Sequence, residues 1–244
     1  MLRLVILATA LHAGIALAGD PVCSTHSTGA QRHLVELYTS EGCDSCPPAE
    51  RWMTSLLQHP ELIGLEFHVT YWDSTEWRDP FDDAAFSERQ KMISRRGADG
   101  QYYTPQIWLD GQLWHNWPKG SPPAPFDGSA PSLSLAADVA GTLHVRIDAE
   151  DAAVASGSFG AYVAVTENGL SSSVRGGENR GKKLAHDEVV RAFAGPLPLP
   201  HATADLRLPA QVDLGKATVV AFLQNVRDGT VVQAVRLPLE SCRH

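Results

Sequence analysis

The alternation of apolar and polar positions divides the chain into two stretches of different character. In the first, His33 to Tyr38 (HLVELY) alternates as a half-buried strand does. Pro47-Pro48 then opens a segment carrying Trp52, Leu56 and Leu57 at helical spacing, which ends near His59-Pro60. Proline suits the first helical turn, where its missing N–H would have no intrahelical partner. Leu65 to Tyr71 (LEFHVTY) predicts a second strand, and Asp83 to Arg96 a second helix that stops before Gly97. Gln106–Leu109, Asp110-Gly111 and Gln112–His115 predict a hairpin around an Asp-Gly turn. The predicted order is β-α-β-α-β-β.

In the second stretch the helical period disappears. Thr142–Ala149, Gly160–Thr166, Ala217–Gln224 and Thr230–Leu237 read as short strands set off by Gly, Asp and Pro, a pattern that favours an antiparallel sandwich. All six tryptophans precede residue 118, and five of the 16 prolines fall between Pro118 and Pro131. The division this predicts is a leader at 1–18, a first domain at 19–118, a Pro/Gly-rich linker at 119–131 and a β-rich domain at 132–244.

The leader is read from Arg3, the apolar run Leu4–Leu17 and the small-x-small pattern Ala16-Leu17-Ala18, which together predict an export signal. That run is 14 residues, short of the roughly 20 needed to span a bilayer. Cys23 follows Asp20-Pro21-Val22 rather than small apolar residues, so no lipid or membrane anchor is expected, and the predicted location is periplasmic or secreted. The whole chain has 20 Lys+Arg against 28 Asp+Glu. An acidic chain of this kind has no electrostatic footprint for nucleic acid.

Four cysteines in an oxidising compartment are read first as disulfides. Cys43 and Cys46 are spaced to bridge one another. Cys23 and Cys242 are expected either to clasp the two ends of the chain or to remain unrelated thiols. Cys43-Asp44-Ser45-Cys46-Pro47 sits where a strand gives way to a helix, so backbone N–H groups and the helix dipole favour a thiolate there. In an exchange reaction an exposed Cys43 would attack and Cys46 would resolve the mixed disulfide. Glu41 and Asp44 oppose the helix terminus, so the Cys43 thiol is expected to be only weakly acidified.

The segments VELYTSEGCDSCPPAE (35–50), YWDSTEWRDPF (71–81), SERQ (87–90), YTPQIWLDGQ (103–112) and GENRGKKLAHDEVVRAF (177–193) resemble a bacterial family of secreted thioredoxin-like proteins described only as a domain of unknown function. The resemblance spans residues 33–193. It implies an α/β thioredoxin-like domain followed by a mainly antiparallel β, sandwich-like domain, with Cys43 and Cys46 as the redox pair. It also implies Pro105 as a cis-proline, with Thr104 pairing with a substrate chain. Gly42 stands where thioredoxins usually carry an aromatic residue, and Asp44-Ser45 replaces their Gly-Pro.

The function expected is exchange with protein thiols or disulfides, requiring no cofactor. Tyr71, Trp72 and Asp73 are expected to line a groove beside the cysteines, or else to cover the core and cap a turn. An inert disulfide in a binding module is one alternative. Another is a Cu(I) carrier in which His68 or His115 joins the two thiolates. Zinc is disfavoured because no second C-x-x-C exists, and no metal ligands are assigned. Glu178, Asn179 and His186 are read as a turn network or a second binding site.

Overall fold

A computed structural model of the chain describes residues 23–27, 29–119, 130–151, 154 and 157–242. The predicted leader and most of the predicted linker lie outside these residues. In the first half, β1 (Cys23–His26), β2 (His33–Thr39), β3 (Leu62–His68), β4 (Gln106–Leu109) and β5 (Gln112–Leu113) are joined by α1 (Cys46–Leu56) and α2 (Ala84–Gly97). In the second half, β6 (Ser134–Ala140), β7 (Thr142–Asp148), β8 (Phe159–Glu167), β9 (Leu170–Ser173) and β10 (Lys183–His186) are followed by β11 (Val189–Leu197), β12 (His201–Leu206), β13 (Ala217–Asn225) and β14 (Val231–Pro238).

These strands correct the expected fold class. There is no α/β domain with a sheet of its own followed by a sandwich-like β domain. Eight strands run in one sheet, in the order β14-β13-β8-β11-β3-β2-β4-β5, drawn from both halves of the chain. The halves join where β11 lies parallel to β3, with Val189 opposite Glu66 and the Glu66 N–H donating to the Glu188 carbonyl at 2.9 Å. With fourteen strands against two α-helices among the described residues, the molecule is predominantly β. Sequence patterning could not reveal this, because a parallel junction strand carries no signal naming its partner.

The faces of this sheet explain its composition. Side chains alternate along a strand, so Val35 and Leu37 of β2 pack under α1 with Ala49, Met53 and Leu56. Leu34 and Tyr38 face the other way, towards Phe86 and Ile93 of α2. On β8 and β13, Tyr162, Val220 and Phe222 continue the α2 face. Val163, Val165, Val219 and Ala221 face a second sheet, ordered β1-β6-β7-β12. One face is thus covered by α2, and the other by α1 at one end and the four-stranded sheet at the other. A Cys23–Cys242 disulfide ties β1 to the end of the described chain, with Cα atoms 5.2 Å apart.

Local signals place the helices. Pro47 and Pro48 fall in the first turn of α1, while Asp83 caps α2 by accepting from the Ala85 N–H at 2.8 Å. Arg95 and Arg96 lie in the last turn of α2, where positive charge is favoured. Arg89 points into the core and forms a two-pronged ion pair with Glu36 at 2.7 and 2.8 Å. Its guanidinium lies 5.0, 4.8 and 5.2 Å from the ring centres of Tyr162, Phe193 and Phe222. The predicted hairpin forms at β4–β5, with Asp110 and Gly111 at φ 49° and 78°. The second strand ends earlier than its pattern suggests, since Thr70–Trp72 turn as a short 3-10 helix.

Candidate functional site

The turn from β2 into α1, Ser40 to Ser45, carries the Cys43–Cys46 disulfide, with Cα atoms 5.5 Å apart. Cys46 is the first residue of α1, and its N–H donates to the Cys43 carbonyl at 3.3 Å. The expectation that Cys43 would stand exposed is not met. Cys43 is 1% exposed and Cys46 is fully buried, although Asp44 and Ser45 between them face solvent.

A segment from the distant half of the chain packs onto this turn and forms a cover over its backbone. Strands β9 and β10 pair as a separate two-stranded hairpin, and its connecting segment 174–182 lies across the turn. Asn179, fully buried, donates from Nδ2 to the Glu41 carbonyl at 2.9 Å and the Cys43 carbonyl at 2.7 Å. The Glu178 N–H donates to the Gly42 carbonyl at 3.0 Å, and the Asp44 N–H donates to Glu178 Oε2 at 3.0 Å. Gly177, at φ 67°, approaches so closely that a Cβ there would meet the Gly42 backbone at 3.0 Å. Glu178 and Asn179 therefore do more than close their own turn.

Of the residues expected to bind substrate, Trp72 packs against this turn and Thr104 is joined to it through Trp72. A Cβ on Gly42 would meet Trp72 Cβ at 3.1 Å, which leaves no room there for the aromatic residue usual in thioredoxins. Trp72 Nε1 donates to Thr104 Oγ1 at 2.7 Å, and the Thr104–Pro105 peptide is cis. The Tyr71 hydroxyl donates to Gln90 Oε1 at 3.2 Å, and burial pushes its pKa up to about 12. The ring remains partly exposed and meets Tyr102 at 5.6 Å, with Tyr103 also exposed. Asp73 accepts the Asp79 N–H at 3.2 Å and pairs with Arg78 at 3.5 Å, organising the 73–82 loop. Asp79 is the residue that reaches the site, accepting the Glu41 N–H at 2.8 Å.

Beneath the turn lies a buried ionisable cluster that no local motif announced. His68 Nδ1 pairs with Asp79 Oδ2 at 2.8 Å and its Nε2 lies 3.1 Å from Glu66 Oε1. Both ring nitrogens are thus engaged, rather than free to join two thiolates. His115, the other histidine considered for copper, is exposed beyond β5. His186, at the end of β10, faces Glu41 Oε1 at 3.1 Å through Nε2, and Glu50 Oε2 at 3.2 Å through Nδ1. Glu50 in turn accepts from Thr39 Oγ1 at 2.5 Å, and Glu41 from the Ser172 hydroxyl.

The electrostatics follow from burial and pairing. Burial by itself would lower the imidazole pKa values. The charge and hydrogen bond of Asp79, with the Glu66 hydrogen bond, outweigh it and raise His68 to about 10. Hydrogen bonds to Glu41, Glu50 and Glu66 likewise raise His186 to about 12. Burial and the Glu66 charge push Glu50 up, whereas for Glu66 the hydrogen bonds to the two histidines overcome burial and hold it down.

A family profile matches residues 34–224, from β2 through β13, and so takes in the disulfide, the cluster and the cover together. The chain belongs to the family described as protein of unknown function (DUF1223). No curated protein matches it. Among solved structures, the chain is similar to the X-ray crystal structure of a protein from Agrobacterium tumefaciens, with 24% identity, 86% of this chain and 96% of that chain covered, and a TM-score of 0.59. It is also similar to HBP35 of Porphyromonas gingivalis, at 14% identity, 86% and 76% coverage and a TM-score of 0.62. At these identities the likeness extends to the fold alone.

Proposed function

We propose that this protein exchanges disulfides with protein thiols outside the cytoplasm, through a Cys43–Cys46 pair exposed only when segment 174–182 lifts. The observation that carries the reading is the nature of the cover. Four hydrogen bonds from Glu178 and Asn179 hold it against the turn. A polar clasp of this kind can exchange its bonds for water when it opens. Once open, a substrate thiolate attacks Cys43 Sγ, the Cys43–Cys46 bond breaks, and Cys46 leaves as a thiolate at the start of α1. A second substrate thiolate then attacks the mixed disulfide. The substrate dithiol is oxidised, the pair is reduced, and the thiol protons are redistributed to the two cysteines or to solvent. The exposed rings of Tyr71, Tyr102 and Tyr103, beside Thr104-Pro105, offer a substrate chain a landing surface.

A second reading, a closed disulfide in a binding module, is favoured by the burial of both sulfurs. Loop length argues against it. In the chain-entropy description, closing residues 43–46 stabilises by about 2 kcal/mol, whereas closing 23–242 gives about 5 kcal/mol. The staple, on this count, is Cys23–Cys242. The test is a dithiol-oxidation assay on wild type and Cys43→Ser, with Cys46→Ser used to trap the mixed disulfide. Activity abolished by Cys43→Ser supports exchange. A reduction potential below about −300 mV, with nothing trapped, selects the structural disulfide.

A further inference from the structure

The interior beneath the disulfide holds more ionisable groups than exchange requires. Glu41, Glu50, Glu66, His68, Asp79 and His186 are each no more than 3% exposed. Buried polar atoms are normally hydrogen-bonded, yet Glu41 Oε2 and Glu66 Oε2 have no partner.

We propose that Glu66, His68 and His186 form a binding site for a divalent transition-metal ion of zinc-like preference, with Glu50 beside the fourth position. One donor atom from each of the three residues lies within 4.8 Å of the others. Glu66 Oε1 is 3.1 Å from His68 Nε2 and 3.5 Å from His186 Nδ1. Tetrahedral bonds of about 2.0–2.1 Å separate neighbouring donors by roughly 3.3 Å, so both of these spacings already match, and the two imidazole nitrogens, within 4.8 Å of one another, would draw together to complete the set. Glu50 Oε2, 3.2 Å from His186 Nδ1, is at the same spacing.

The outer contacts fit as well. The remaining nitrogen of each ring faces a carboxylate, Asp79 at 2.8 Å for His68 and Glu41 at 3.1 Å for His186. Such carboxylate–histidine pairs fix the tautomer and orientation of metal ligands. Two imidazoles and a carboxylate suit zinc or its neighbours rather than the all-oxygen coordination of calcium and magnesium.

The test uses the full chain with both disulfides intact, stripped by a chelator. Zn2+ is added both to the folded protein and during refolding, because the ligands are sealed, and binding is read by competition with a chromophoric chelator. One Zn2+ per chain is expected, with tetrahedral d–d absorption when Co2+ replaces it. Affinity should be retained in the Cys43→Ser/Cys46→Ser double variant, lost by at least about 100-fold in His186→Gln, and weakened about 10- to 100-fold in Asp79→Asn. If His186→Gln does not fold, Asp79→Asn carries the comparison. No stoichiometric binding by either route overturns the site, as does binding that needs the cysteines and survives His186→Gln. Neither result bears on the exchange assay, which the disulfide decides.

Discussion

Replacing Asn179 by alanine isolates the cover from the chemistry beneath it. Asn179 is fully buried and donates to two carbonyls, those of Glu41 and Cys43. The Cys43 carbonyl keeps the Cys46 N–H at 3.3 Å. The Glu41 carbonyl would lose its donor inside the protein, at about 1–3 kcal/mol, and the second bond adds roughly 1 kcal/mol. When the segment lifts, both carbonyls meet water, so the loss falls on the closed state alone. A total of about 2–4 kcal/mol makes the open state roughly 30- to 1000-fold more populated. If the pair reacts only when open, its reduction by excess dithiothreitol should accelerate by a comparable factor. Timed alkylation and peptide mass spectrometry follow Cys43–Cys46 and Cys23–Cys242 in the same sample, the second serving as control for global unfolding. A folded Asn179→Ala protein whose Cys43–Cys46 rate stays within about threefold of wild type would refute the gating argument.

Three further substitutions probe the frame around the site. Cys23→Ser/Cys242→Ser removes the long closure and should cost about 5 kcal/mol by loop entropy, lowering Tm by roughly 10–20 °C in a thermal melt. Arg89→Met strands Glu36 in the core and should destabilise by about 3–5 kcal/mol in guanidinium titration, with part of the loss recovered in Glu36→Gln/Arg89→Met. Asp82 is pushed up to about 7 by burial and by the hydrogen bond and charge of Asp73. Its folded pKa exceeds its unfolded value, so its contribution is present at low pH and is lost as pH rises through 7. Asp82→Asn should therefore raise the denaturation midpoint more at pH 8 than at pH 5, and an equal gain at both would contradict this.

The parts legible in the sequence were those written locally. Pro47-Pro48 marked the start of α1, Asp83 the cap of α2, and Asp110-Gly111 the hairpin turn, each through a chemistry confined to a few residues. The strands β1, β6, β9, β10, β11 and β12 were missed, and with β11 the reason that both halves of the chain share one eight-stranded sheet. β9 and β10 are four residues each, and β11 is interrupted by two register shifts against β8. The cysteine pair was plain from its spacing, but its burial was not, because the turn that carries it is bonded to Asn179, 136 residues away from Cys43. Glu66 and His68 alternate along β3 and so face one side, a clue that two ionisable groups share an interior face. Their meeting with His186 depends on the β3–β11 junction, which no local period encodes.

The hairpin that supplies the cover also supplies His186, and this links the disulfide to the proposed metal site. Asn179 lies in the segment between β9 and β10, and His186 ends β10. Anchoring His186 to an ion that Glu66 and His68 also hold would tether the hairpin to β3 and favour the closed cover. If the pair reacts only when the cover is open, an ion that favours the closed state slows reaction at the pair. The expected outcome is that saturating Zn2+ slows reduction of Cys43–Cys46 by a phosphine reductant in wild type. The same addition should leave Cys23–Cys242 unaffected and have no effect in a folded His186→Gln protein. Equal rates with and without Zn2+, in a protein shown to bind it, would mean that the cover moves independently of His186 and that the hairpin does not act as one lever.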